Sequence, residues 1–382
     1  MTPYADRLDK CRKAMEDRGW DAALLTPGGD LQYLVGIRRK AANSTETHMH
    51  GDWLAGALIT RQHCSLVVPH LARGHVLPQA EGKPWIDEVI PIDEGEDLTS
   101  VALELFSSRV GTFATLALPR RAMAETPIRL GTLFPRMEFA CIADILEPMR
   151  AVKDPGELHA MQRAATVADL AFTRTLERLH PGMTEWQIAM EVEAQLREVG
   201  AEDTSFATGI MIRGSGCCDS PVEAGGSEDN TLKPGRVLAF DFGAVVDGYC
   251  SDFGRTVFIG DPDPELLRIH EIIVEAQAAG MRALRPGAIA SEVDRAARSV
   301  IEDAGYGAGF FHRLGHGIGV DVHEAPFLAV GREEEIREDM CFTVEPSVTI
   351  PDRCFIRIED VVRVRADGAV KLNQTSSDPV II

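Results

Sequence analysis

The feature that most constrains this chain is that its second half repeats itself. LERLHPGMTEWQIAMEVEAQLREVGA, beginning at Leu176, matches MRALRPGAIASEVDRAARSVIEDAGY, beginning at Met281, at an offset of 105 residues (281 minus 176). Pro181 falls on Pro286, Gly182 on Gly287 and Gly200 on Gly305. Two amphipathic helices that each follow Pro-Gly could match by chance. The offset, however, also carries Asp241 to within one position of Glu345, and Asp252 to within two of Glu359. Each copy therefore reads as helix, helix, then a hairpin bearing two carboxylates. Packing the copies about a pseudo-twofold axis would bring all four acids together.

The hairpins have their own signals. Asp247-Gly248 is a favourable two-residue turn between the strand-like VLAFDFG and YCSDFGRT. With that turn Asp241 lies opposite Gly254, and Asp252 is its diagonal neighbour on one face, within reach of a shared ion. A three-residue loop at Pro351, Asp352 and Arg353 would pair Glu345 with Glu359 directly. Period two then puts Phe355 and Arg357 on the Glu359 face, and Ile356, Ile358 and Asp360 on the other. A strand carboxylate by itself is usually solvated. Two pairs in mirrored positions ask for another explanation.

Four anions crowded together repel unless a cation joins them. His316, set in Gly315-His316-Gly317-Ile318-Gly319, adds an imidazole on a backbone that can approach a ligand closely. One imidazole with hard oxygen ligands suits manganese, cobalt, iron or zinc. Asp241, Asp252, His316, Glu345 and Glu359 are enough to hold two divalent ions, the arrangement that activates a water for hydrolysis. His323 and His312 flank His316 in sequence. As isolated residues both read as surface or packing histidines, but glycine-rich sequence ties His323 to the candidate ligand.

The remaining sequence sets the frame. At 382 residues the chain can hold two domains. Residues 1–150 alternate helix signals with apolar runs such as DAALLT, WLAGALIT, CSLVVPH and TLALP, which indicates a small α/β domain. Asp154-Pro155-Gly156-Glu157 then offers an N-cap, a first-turn proline and a capping-box glutamate, so a long helix opens the second domain, 151–382. A net charge of -20 argues against non-specific binding to nucleic acid or anionic membranes. No run approaches the roughly 18 apolar residues of a membrane span, and the first residues read as an amphipathic helix, not a signal core. The eight cysteines show no CxxC spacing, which favours reduced thiols and a cytoplasmic setting. RRKAANSTETHMHGDW, with Arg38, Arg39, His48, His50 and Trp53, is a candidate lid over a substrate or else a plain loop.

DFGAVVDGYCSDFGRT, HRLGHGIGVDVHEAP, TVEPSV and RIED together resemble the signatures of the pita-bread-fold metallopeptidases, in that family's order. Prolidase, aminopeptidase P, methionine aminopeptidase and creatinase are members. The resemblance extends over nearly the whole chain. It implies an α+β pita-bread domain with internal pseudo-twofold duplication, preceded by a smaller α/β creatinase-like domain. It implies that Asp241 and Asp252 ligate metal, Asp252 bridging, that His316 and Glu345 ligate the second ion, and that Glu359 bridges. His323 matches the catalytic histidine, Glu345 doubles as proton shuttle, and His312 matches a histidine beside the metals. Arg357 matches an arginine available for a substrate carboxylate.

The implied activity is that of an Xaa-Pro dipeptidase using two divalent ions, manganese first, on a small peptide or amide. Aminopeptidase P, ectoine hydrolase, creatinase-like and sulfoniopropionate lyase-like activities are the alternatives. Creatinase has lost the metal ligands, whereas this chain keeps all five. A homodimer is implied as well. The chain departs from the family's pattern at one point: it has no histidine between His180 and His270. The expected place falls near Ala224 and Gly225, in a loop that also holds Cys217, Cys218, Asp219 and Glu223.

Overall fold

The computed structural model describes residues 3–39, 48–111, 114–217 and 227–382. The chain divides into two compact units, Met1–Arg150 and Ala151–Ile382. The first is built on six strands: β1 (Ala22–Leu25), β2 (Gly56–Thr60), β3 (Cys64–Pro69), β4 (Glu88–Ile92), β5 (Thr115–Leu118) and β6 (Glu138–Cys141). Their order is β4-β3-β2-β1-β5-β6. β2 is antiparallel to both neighbours, while β3–β4, β1–β5 and β5–β6 run parallel. The central strands β1, β2 and β3 are buried along their whole length, which is why they read as continuous apolar runs. The opening helix, Pro3–Asp17, buries Leu8, Cys11 and Met15 at helical spacing.

In the second unit local chemistry sets the first helix. The Asp154 carboxylate accepts the backbone N–H groups of Gly156 and Glu157, and Glu157 reaches back to the Asp154 N–H at 2.9 Å. With Pro155 at the first helical position, this starts the helix Pro155–Leu176. The helices Glu185–Glu198 and Ala290–Asp303 begin and end 105 residues apart. Gly182 and Gly287, at φ 90° and 83°, turn the chain in the same way before each. Each also donates its N–H to a passing segment, at the carbonyls of Leu232 and Ile336 respectively. The duplication is therefore present in backbone conformation as well as in sequence.

The strands repeat too. In the first copy β7 (Asp203–Thr204) and β8 (Gly209–Arg213) precede β9 (Val237–Phe242), β10 (Ala244–Val246), β11 (Tyr249–Cys250) and β12 (Phe253–Phe258). Val246 pairs with Tyr249, and Asp247 and Gly248 both have positive φ, 51° and 77°, as a primed two-residue turn requires. The second copy has β13 (Gly315–Gly317), β14 (Glu324–Leu328), β15 (Cys341–Val344), β16 (Ser347–Ile350), β17 (Cys354–Arg357), β18 (Asp360–Arg365) and β19 (Gly368–Lys371), with β20 (Val380–Ile381) joining β12. Ile350 pairs with Cys354 across the three-residue loop, and Val344 with Asp360 in the same register. Each copy has its own core. One gathers Phe172, Ile188, Val192, Phe240 and Phe253, the other Ile269, Ile273, Val293, Phe342 and Ile356.

The copies are joined at Gly254 and Glu359, whose backbones exchange two hydrogen bonds of 3.2 and 2.9 Å. Arg255 braces this seam. Its guanidinium donates to the carbonyls of Gly254, Glu359, Thr375 and Ser376, and to Asp360 Oδ1 at 2.6 Å. Asp360 is completed by Gln277 and Lys371. Burial would raise the Asp360 carboxyl, but Arg255 and Lys371 hold it below the usual range. Gly254 has no side chain because a Cβ there would come within 2.9 Å of the Glu359 Cβ and 3.2 Å of the Arg357 Cδ. Gly254→Ala should therefore destabilise the protein by about 1–3 kcal/mol, read as a lower urea midpoint.

Candidate metal centre

Asp241 stands on β9 opposite Gly254. Asp252 immediately precedes β12, and Glu345 and Glu359 lie where the β15–β18 ladder passes into β16–β17. His316 comes from β13 and is 1% exposed. Its Nε2 is 3.5 Å from Asp252 and 3.4 Å from Glu345. Single ligand atoms of Asp252, His316 and Glu359 all lie within 4.8 Å of one another. The Arg357 guanidinium reaches Asp241 at 2.5 Å, Glu359 at 3.5 Å and Glu345 at 3.7 Å. Four carboxylates, one imidazole and one guanidinium thus share a single buried cluster.

The donor set suits a cation. His316 Nδ1 lies 3.0 Å from the Gly317 carbonyl, which only accepts, so that nitrogen carries the proton. Nε2 faces Asp252 and Glu345, which raise the His316 pKa against the effect of burial, so without an ion the imidazole is held charged, and an ion would take the place of that proton. Asp252 Oδ1 and Glu359 Oε2 are buried and accept no hydrogen bond from the described residues. Buried carboxylate oxygens are costly without a partner. Thr343 Oγ1 donates to Glu345 at 3.1 Å and accepts the His316 N–H, tying the two together.

Protonation follows from the crowding. Burial raises Asp241 to about 6, against the pull of Arg357. Burial also raises Asp252, with His316 opposing, and lifts Glu359 well above the carboxylate range, with Asp252, Glu345 and Asp241 adding to the effect. For Glu345 burial is overcome by Arg357, His316 and His312, and its carboxyl is held low. The metal-free cluster therefore retains protons that the unfolded chain has released.

Several expected roles are changed by these contacts. Arg357, expected to meet a substrate carboxylate, has its guanidinium hydrogen-bonded to Asp241 and beside Glu345 and Glu359, while its Nε has no partner among the described residues. His312 is engaged on both sides, Nδ1 to the Arg313 carbonyl at 2.7 Å and Nε2 to Ser347 Oγ at 2.6 Å. Burial and the nearby Arg357 push its pKa down, so it is neutral and accepts the serine proton. Arg298 holds the His312 and Phe310 carbonyls and is itself gripped by Asp294. His323 is exposed, its ring edge-to-face with His316 at 4.1 Å.

Trp53 does not fit a lid. It is 3% exposed and belongs to the apolar core of the first unit with Leu58, Phe106 and Leu130, because a large indole contributes more by burial than in solvent. His50 bonds to the Glu96 carbonyl of the same unit. The rest of that segment, 40–47, lies outside the described residues, as do Cys218, Asp219, Glu223, Ala224 and Gly225. Cys217 is half-buried against the first core. Sequence reasoning missed Ser347, Thr343, Arg255, Lys153 and the Asp294–Arg298 pair. Arg255, Thr343 and Ser347 carried a signal, being close to candidate ligands on strands already assigned.

The description "Metallopeptidase family M24" matches residues 159–366, and "Creatinase/Prolidase N-terminal domain" matches 7–152. The chain belongs to metallopeptidase family M24. It is 34% identical over 303 residues to the Xaa-Pro dipeptidase of Lactobacillus delbrueckii subsp. lactis, covering 78% of this chain and 81% of that one. Among solved structures it is similar to a recombinant prolidase from Thermococcus sibiricus, at 26% identity and TM-score 0.88, with both chains covered in full. It is also similar to dipeptidase PepE from Mycobacterium ulcerans, at 31% identity and TM-score 0.84, covering 100% of this chain and 98% of that one. This M24 enzyme is a prolidase-like metallopeptidase with the pita-bread fold.

The raised carboxyls set a pH dependence. A carboxyl with a raised folded pKa favours the fold below its unfolded pKa, and that contribution is lost as pH rises through the folded value. The metal-free enzyme should therefore lose thermal stability between about pH 4 and the Asp241 value of about 6. Divalent ions replace the protons, so the rise in Tm on adding manganese should be larger at pH 7.5 than at pH 5. Differential scanning fluorimetry at both values checks the sign.

Proposed function

We propose that this M24 enzyme is an Xaa-Pro dipeptidase, using two divalent ions held by Asp241, Asp252, His316, Glu345 and Glu359. The observation that carries the reading is the buried cluster itself, with two carboxylate oxygens that accept no hydrogen bond from the described residues and the His316 Nε2 turned toward the acids. The substrate comes from the named relatives, Xaa-Pro dipeptidase and prolidase. Manganese is the ion in the cell, since four carboxylates and one imidazole suit a hard dication. When bound, the ions would polarise the scissile carbonyl and make water acidic enough to attack near neutral pH.

The protein's own groups do the rest. Glu345, held low and therefore ionised, accepts the proton of the attacking water. It then returns that proton to the departing proline nitrogen as the C–N bond breaks, leaving a free carboxylate and a secondary amine. His323, exposed beside His316, donates to charge that grows on the carbonyl oxygen only in the transition state. His312, neutral and held by Ser347 and the Arg313 carbonyl, lines the site and meets the substrate only once Nε2 releases the serine hydroxyl. Arg357 offsets the charge of Asp241, Glu345 and Glu359 and holds them in place.

The chain lacks histidine between His180 and His270, and this favours one other reading, a small non-peptide amide as substrate. We also place the enzyme in the cytoplasm as a homodimer. Cys11, Cys64, Cys141, Cys341 and Cys354 are free thiols, which supports a reducing compartment. No helix among the described residues is long and apolar enough to cross a membrane.

A panel of dipeptides, tripeptides and small amides, assayed after chelation and manganese reloading, tests the assignment. Release of proline from Xaa-Pro dipeptides is expected. Turnover confined to small amides at full metal occupancy would overturn it. Asp252→Asn and His316→Ala should lose metal by elemental analysis. His323→Ala should keep its metal and lose about 10²–10³-fold in kcat.

A further inference from the structure

Lys153 and Glu324 form a buried ion pair that the proposed chemistry does not use. Their side chains are 1% and 5% exposed, with Nζ 3.3 Å from Oε2. Lys153 Nζ also donates to the Ala151 carbonyl at 3.3 Å. A buried pair of this kind is weak evidence for stability, because desolvation cancels much of the attraction and apolar replacements often fold as well. Its position in the fold suggests what else it does.

Glu324 directly follows His323 and opens β14. Its second oxygen, Oε1, accepts the Asp321 N–H at 3.0 Å. The carboxylate also fills the space above Gly319, where a Cβ would lie 2.9 Å from both oxygens. The turn from Gly317 to His323 is therefore wrapped around this one carboxylate. Gly319 donates its N–H to the Asp321 carbonyl at 3.0 Å and accepts that of Cys250 at 2.8 Å. His316 stands at one end of the turn and His323 at the other, their rings 4.1 Å apart. Lys153 is anchored independently, because its N–H bonds to the Asp339 carbonyl and Val152 pairs with Met340. Its ammonium thus holds the Glu324 carboxylate from a fixed point on another part of the unit.

We propose that Lys153 and Glu324 are positioning residues for His323, setting the imidazole at its working distance from the metal ligand His316. The inference rests on the reading that His323 contacts the substrate. Side chains that fix a reacting group matter steeply, since a displacement of about 1 Å can cost about 10²-fold in rate.

The test uses the full chain loaded with manganese. Glu324→Gln, Lys153→Met and the pair K153M/E324Q, which leaves no unpaired charge buried, are each made in the wild-type and the His323→Ala background. In the wild-type background kcat on an Xaa-Pro dipeptide should fall about 10–100-fold, with KM and metal content unchanged. In the His323→Ala background the same substitutions should lower kcat no further, because their effect passes through that ring. An equal loss in both backgrounds, an unchanged kcat or a fall in metal content would overturn the proposal. If a single variant fails to fold, the paired variant gives the answer. A second readout does not depend on turnover. The His323 ring resonance of the metal-free protein, assigned by its absence from His323→Ala, should shift and broaden in Glu324→Gln. An unchanged resonance would overturn the positioning role, whereas a wild-type enzyme inert toward Xaa-Pro substrates would overturn only the substrate assignment.

Discussion

Everything in the second unit answers to one electrostatic problem, how to keep four carboxylates clustered in a largely buried site. Asp252 and Glu359 are 3% and 1% exposed, and their mutual repulsion grows as solvent is excluded. Arg357 and His316 offset part of this charge. Two oxygens still accept no hydrogen bond from the described residues, and a divalent ion is the partner that fits them. The fold therefore holds its acids in an arrangement poorly suited to the metal-free state and well suited to binding cations.

That arrangement depends on backbone contacts as much as on side chains. Glu359 is fixed because its main chain exchanges hydrogen bonds with Gly254 of the other copy. Arg255, fully enclosed, then satisfies four carbonyls and one carboxylate around the same point. A strand pair held at its ends alone could shift. A seam braced at Glu359 cannot do so without breaking several buried hydrogen bonds together, and this is how a duplicated fold can place side chains to within the tolerance that catalysis demands.

The histidines show the same logic at a smaller scale. His316 is oriented by one carbonyl, His312 by a carbonyl and a serine, and the turn bearing His323 by a carboxylate that is itself held by Lys153. Each ring owes its state to a group that is not itself a candidate ligand. Ser347, Thr343, Lys153 and Glu324 have ordinary side chains. They matter because of what lies beside them once the strands are paired.

The sequence by itself determined the repeat, the hairpin registers, the helix start at Asp154 and the set of acids that would meet. These follow from local rules, since a period of two, a primed turn and a capping box act over a few residues. Only the tertiary structure decided how the meeting is held. Arg357, legible as a neighbour of Glu359, became a counter-charge because Asp241 arrives from the other copy, 116 residues away. Trp53, in a segment that the sequence reads as a lid or else a plain loop, went into the apolar core with Leu58, Phe106 and Leu130. Lys153 and Glu324 lie 171 residues apart and carry no shared signal in the chain. Contacts at that separation depend on packing and desolvation, and those exist only after the chain has folded.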